Sequence, residues 1–103
     1  MDNDDTALVQ ARLALDKLRQ AYVDARDGPN PDFDTVYALR IAYAEGGDAY
    51  AALDARLLSQ AILTTNAQLQ ELIRINREMD EAVDNKAYLL AAARLVKLLV
   101  AIV

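Results

Sequence analysis

The chain has no cysteine, no histidine and no tryptophan, and only one phenylalanine, three glycines and two prolines in 103 residues. Without cysteine there is no disulfide and no thiolate nucleophile. Without histidine there is no imidazole base, and the usual zinc ligand sets cannot be assembled. Ser59 is the sole serine and falls inside a helical pattern, so no Ser–His–Asp set is available. The glycines are Gly28, Gly46 and Gly47, and none opens a helix after a strand, which excludes a phosphate-cradling loop. Lys17, Lys86 and Lys97 would serve as nucleophiles only if burial shifted their pKa. We therefore expect no enzyme, no cofactor and no metal.

Positive charge is also scarce. Eleven Lys and Arg stand against sixteen Asp and Glu, a net charge of −5 at pH 7. Phosphate backbones are gripped by clustered basic residues, so nucleic acid is not an expected partner. The opening Met1-Asp2-Asn3-Asp4-Asp5-Thr6 is acidic, the reverse of a signal peptide. The apolar C-terminal stretch carries Arg94 and Lys97 and falls short of a comfortable bilayer span. The expectation is a soluble cytoplasmic protein, with an interfacial C-terminal anchor as the alternative.

What is present is apolar helix. Hydrophobic residues make up 54 % of the chain, and much of that is alanine, which favours helix but buries little area per residue. Lys86–Val103 has no Gly or Pro and only three charged side chains, Lys86, Arg94 and Lys97, which share one narrow strip of a helical wheel. A helix apolar around most of its circumference belongs inside a structure. The fold class expected is all-α, a single domain over 1–103. It would be a bundle of four or five helices with this C-terminal helix central.

Taken in order, Leu8, Ala11, Leu15, Leu18, Tyr22 and Ala25 form a heptad seam over Asp5–Arg26, flanked by Arg12, Arg19 and Arg26. The flanking arginines read as solvated stems along that seam. Asp27-Gly28-Pro29-Asn30-Pro31 ends the helix and opens a loop over 27–33. Asp27, Asn30, Asp32 and Asp34 supply oxygens, but their spacing fits no calcium loop, and turn and cap roles account for them. A second helix is expected over Asp34–Glu45, ended by Gly46-Gly47, with Asp48 capping a third over Asp48–Leu63.

Val36, Leu39, Tyr43, Gly47-Asp48 and Ala52 fall where a tetratricopeptide repeat places its large first residue, its Leu, its Tyr, its turn and its small Ala. This segment resembles one unit of that family, which implies an antiparallel helix pair. Arg40 and Arg56 depart from the pattern, and no second copy follows at the repeat's period.

From Asp48 to Val83, the residues Ala51, Ala55, Leu58, Ile62, Thr65, Leu69, Leu72, Asn76, Met79 and Val83 keep heptad spacing. An unbroken helix there would be about 54 Å long, as in a coiled-coil dimer. Leu57 and Leu63 on the opposite face, and the capping-box pattern Thr65-x-x-Gln68, argue instead for a break at Thr64–Asn66. We read Asn66–Val83 as a separate amphipathic helix. Its Glu71/Arg74, Arg74/Glu78 and Arg77/Glu81 pairs sit at helical neighbour spacing. Glu78, Asp80, Glu81 and Asp84 read as a solvated face, since a di-iron site needs histidine. Asn76 is the polar member of the seam. It either fixes a coiled-coil register, bonds a backbone carbonyl, or lies at the seam's edge. Asp84-Asn85 then caps the last helix after a connection short enough to demand an antiparallel neighbour.

Surplus apolar helix without chemistry points to a non-catalytic helical protein–protein interaction module, acting by self-association or as an adaptor or chaperone. The partner would be itself or another helical protein. Candidate interface residues are Tyr88, Leu89, Leu95, Val96, Leu99, Val100 and Ile102, with Asn76 as the candidate register residue. Two alternatives belong to other classes: an acidic mimic that blocks a nucleic-acid-binding site on a partner, and a carrier with an apolar pocket between helices.

Overall fold

A computed structural model describes residues 3–59 and 64–102. It contains four helices, α1 (Asn3–Asp27), α2 (Phe33–Ser59), α3 (Asn66–Glu81) and α4 (Asn85–Ile102), with no strand among the described residues. The expected positions of Ile62, Leu63 and Val103 lie outside the described residues.

The helix ends follow local chemistry. Asp4 and Asp5 sit in the first turn of α1 and Arg26 in its last, each complementing the helix dipole. Asp32 starts α2: its Oδ1 accepts from the Asp34 amide at 3.1 Å, its Oδ2 from the Thr35 hydroxyl at 2.9 Å, and its carbonyl from the Val36 amide at 2.9 Å. α3 opens on the expected capping box. The Gln68 amide donates to Thr65 Oγ1 at 3.1 Å, and the Thr65 amide donates to Gln68 Oε1 at 2.9 Å. Asp84 Oδ1 accepts from the Ala87 amide at 2.8 Å at the head of α4.

Gly46-Gly47 does not break the chain. α2 runs through both, neither glycine has a positive φ, and the expected boundary between Glu45 and Asp48 is corrected to one helix of 27 residues. Two interior glycines weaken a helix by about 1 kcal/mol each relative to alanine. Packing on both neighbouring helices outweighs that cost, because Gly46 is buried against α1 and α4. Val36, Leu39, Tyr43 and Ala52 therefore share a single helix, and the antiparallel pair implied by the tetratricopeptide resemblance is absent here.

The helices occupy four corners. α1 and α4 each pack on both α2 and α3 and approach one another across the short diagonal, while α2 and α3 stand at opposite corners with no close backbone approach among the described residues. Directions follow from cross-links. Asn3 donates to the Thr64 carbonyl at 3.1 Å and Lys17 to Asp80 at 3.0 Å, so α1 and α3 run parallel. Arg94 bonds Glu71 and Glu78, making α3 and α4 the antiparallel neighbours their short connection required. Leu15 of α1 and Val96 of α4 both flank Gly46, so the two helical hairpins α1–α2 and α3–α4 stack with α2 parallel to α4.

The core is Leu18, Leu39, Leu53, Leu72, Ile75, Leu95 and Leu99, all fully buried. The α1 seam holds as expected, from Ala11 and Leu15 through Leu18. The seam expected through Ala51, Ala55 and Leu58 is corrected, since all three are exposed; Ala49, Leu53 and Leu57 face inward instead. The heptad was carried across a real helix break into a helix at the opposite corner, where registers are unrelated. Val83 follows the end of α3 and is exposed, not part of its seam. α4 is central only on its inner face, through Ala91, Ala92, Leu95, Leu99 and Ile102. Its outer face is open: Leu90 is 61 % and Val100 63 % exposed.

Candidate interaction groove

Parallel packing of α2 and α4 leaves a groove of about 750 Å³ between them. Small residues make it. Ala38 and Ala42 of α2 and Ala93 of α4 stand where larger side chains would close the gap. Leu89, Val96 and Val100 form the α4 wall, and Tyr37 and Ile41 the α2 wall. Tyr37 is 64 % exposed although its ring is largely apolar. Charged residues appear only at the rim, Glu45 on α2 and Lys97 on α4. At the upper end Tyr37 also lines a second hollow with Tyr22, Phe33 and Arg40, so the apolar surface continues to Phe33, which is 82 % exposed.

The structure divides the residues singled out from sequence. Leu89, Val96 and Val100 line the groove. Leu95, Leu99 and Ile102 do not belong to any surface; they are core residues, turned inward by the same helical periodicity that turns Val96 and Val100 outward. Tyr88 points to the other side of α4, into a hollow with Ala21, Ala25 and Asn85. Its ring is half-buried while its hydroxyl is enclosed with no hydrogen-bond partner among the described residues. Burial, then the negative charge of Asp80, pushes its pKa up to about 12.

Asn76 resolves to one of its three readings. It is buried between α3 and α1, and its Nδ2 donates to the Gln10 carbonyl at 2.9 Å and to Gln10 Oε1 at 3.0 Å. It therefore ties α3 to α1 through a backbone carbonyl within the monomer. Lys17 seals the same junction, donating to the Asn76 carbonyl at 3.2 Å.

The α2 half of the groove went unmarked in the sequence. Its signal was available in the i, i+4, i+8 series Tyr37, Ile41, Glu45, which lies beside the Leu39 face.

The remaining polar clusters have structural roles. Asp27 pairs with Arg26 at 2.9 Å, and Asp32 is a cap. On α3, Glu71 pairs with Arg74 at 2.9 Å as expected, but Glu78 turns to Arg94 on α4 and not to Arg74. The hydrogen bond to Glu71 does most to raise the Arg94 pKa; burial opposes it, and the charges of Glu78 and Glu71 add to the rise. Among the described residues no group of three or more carboxylates is placed to hold a metal ion, and no helix is long and apolar enough to cross a membrane.

No family model, curated protein or solved structure matches this chain, so the fold and the groove stand on its own residues alone.

Proposed function

We propose that the chain is a non-catalytic interaction module that docks another polypeptide in the α2/α4 groove. The observation that carries this reading is the continuous apolar surface of Tyr37, Ile41, Val96 and Val100, with charge confined to the rim. An exposed apolar patch rimmed by charge is the usual mark of an interaction surface. A trough between two helices also has the shape that accepts a helix.

The other two readings have less support. An acidic mimic needs an unbroken negative stripe, whereas Arg12, Arg19, Arg40 and Arg56 stand exposed among the carboxylates. A carrier needs a site that encloses its ligand, and this groove is walled by two helices only.

The test measures solution mass and binding of a hydrophobic dye for the native protein and for Val100→Glu and Ile41→Glu. Both side chains lie outside the core, so helix content should hold. A docking groove is either covered by a second chain, giving a mass above the monomer, or open and dye-binding, and both substitutions should abolish whichever is seen. A native monomer that binds no dye ends the proposal.

A further inference from the structure

The rim charges of the groove are arranged by helix. The charged residues that line it are Glu45 on α2 and Lys97 on α4, and eleven residues earlier, at the same helical phase, stand Asp34 on α2 and Lys86 on α4. All four are exposed, and none forms an ion pair among the described residues. Their spacing matches. Asp34 precedes Glu45 and Lys86 precedes Lys97 by the same interval, eleven residues or three helical turns. Because α2 and α4 run parallel and Glu45 and Lys97 share the groove, Asp34 stands at the level of Lys86.

We propose that the partner is a second copy of this chain, docked α2 against α4 about a two-fold axis running along the groove. This rests on the groove being a docking surface. In that arrangement Glu45 meets the partner's Lys97, Asp34 meets the partner's Lys86, and the symmetry repeats both contacts. An interface of this kind must be self-complementary, since the same patch appears on both sides. Two opposite-sign pairs at two matching levels satisfy that condition, and Tyr37 and Ile41 of each copy then lie over the α4 wall of the other. The face is large enough. α4 is 18 residues, about 27 Å, and two helix widths of about 10 Å give a projected area of about 540 Å². The accessible surface of a ridged face exceeds its projection, which brings it near the roughly 800 Å² per partner of a stable interface. The net charge of −5 per chain opposes association only at long range, where salt screens it within about 8–10 Å.

Sedimentation equilibrium on the full chain tests this with Glu45→Lys, Lys97→Glu and the two combined, using circular dichroism to confirm that each stays helical. The native protein should be a dimer. Each single substitution puts like charges together twice and should raise the dissociation constant by about tenfold or more. The double substitution restores opposite pairs and should recover most of that loss. A dimer indifferent to both single changes, or not rescued by the double, overturns the two-fold arrangement. A native protein monomeric at every concentration also overturns it. In that case dye binding that Val100→Glu removes would leave the groove as a docking surface for a different chain, while no dye binding would end both readings.

Discussion

A methyl group built on Gly46 would lie 2.8 Å from Leu15 Cδ2, whereas one built on the adjacent Gly47 meets nothing within 4 Å. Two neighbouring glycines in one helix therefore have opposite reasons for being there. Gly46 lets α2 approach α1, and Gly47 contributes no packing. Gly47→Ala should stabilise the fold by about 0.5–1 kcal/mol through helix propensity and a less flexible unfolded chain. Gly46→Ala gains the same propensity but overpacks a buried contact, a cost of about 1–3 kcal/mol. Chemical denaturation of the two variants should show the first midpoint rising and the second falling. Equal shifts would mean the approach of α1 and α2 is looser than described.

The same pair shows where sequence reasoning stopped. Gly-Gly after a charged residue is a sound local signal for a helix end, and it was outweighed by non-local packing against Leu15 and Val96. By contrast Thr65 and Gln68 satisfy each other within one turn, so the start of α3 was legible from four residues. Periodicity in α1 identified the buried face from Ala11 through Leu18, where the helix packs between α2 and α3. It could not sort α4. There the apolar residues go nearly all round, and only the positions of α2 and α3 decide that Leu95 and Leu99 are core while Val96 and Val100 line a groove.

Asn76 offers a test of the contact between α1 and α3. Its side-chain amide holds two oxygens of Gln10, but its own Oδ1 has no partner among the described residues. Asn76→Leu removes the bonds and the orphaned oxygen together, so the net loss should be small, about 1 kcal/mol or less. Asn76→Asp sets a carboxylate against two oxygens in a buried site and should cost about 3 kcal/mol or more at pH 7. Burial would raise that carboxyl's pKa in the folded state, so the folded variant holds the extra proton and regains stability as pH falls. Thermal melts of Asn76→Asp at pH 7 and pH 4.5 should show the deficit relative to the native protein shrinking at the lower pH.

Tyr88 should make the protein alkali-sensitive. Its folded pKa is about 12 against an ordinary value of 10.0, so above pH 10 the unfolded chain loses the phenolic proton first. The associated stability is fully present below pH 10 and is lost as pH rises towards 12. Tyr88→Phe removes a hydroxyl that has no hydrogen-bond partner among the described residues, so it should be neutral or slightly stabilising at pH 7. Denaturation at pH 7 and pH 11 should show the native protein losing more stability than the variant. A parallel decline of the two would place the hydroxyl in contact with water.

Leu95 and Val100 separate the two faces of α4. Leu95 is fully buried among side chains of the core, and Leu95→Asp would place an unpaired charge there. The milder Leu95→Ala should cost about 2–5 kcal/mol through the lost transfer energy and the cavity left behind. Val100, one and a half turns later, is 63 % exposed on the groove wall. Val100→Asp should leave a folded chain whose stability changes by about 0.5 kcal/mol or less once it is measured as a monomer. Circular dichroism and denaturation of the three variants give the comparison. Leu95→Asp should lose helical signal, Leu95→Ala should melt early, and Val100→Asp should melt with the native chain at concentrations low enough to keep the native chain monomeric. If Val100→Asp unfolds instead, the outer face of α4 is covered within the monomer and the groove is not a surface at all.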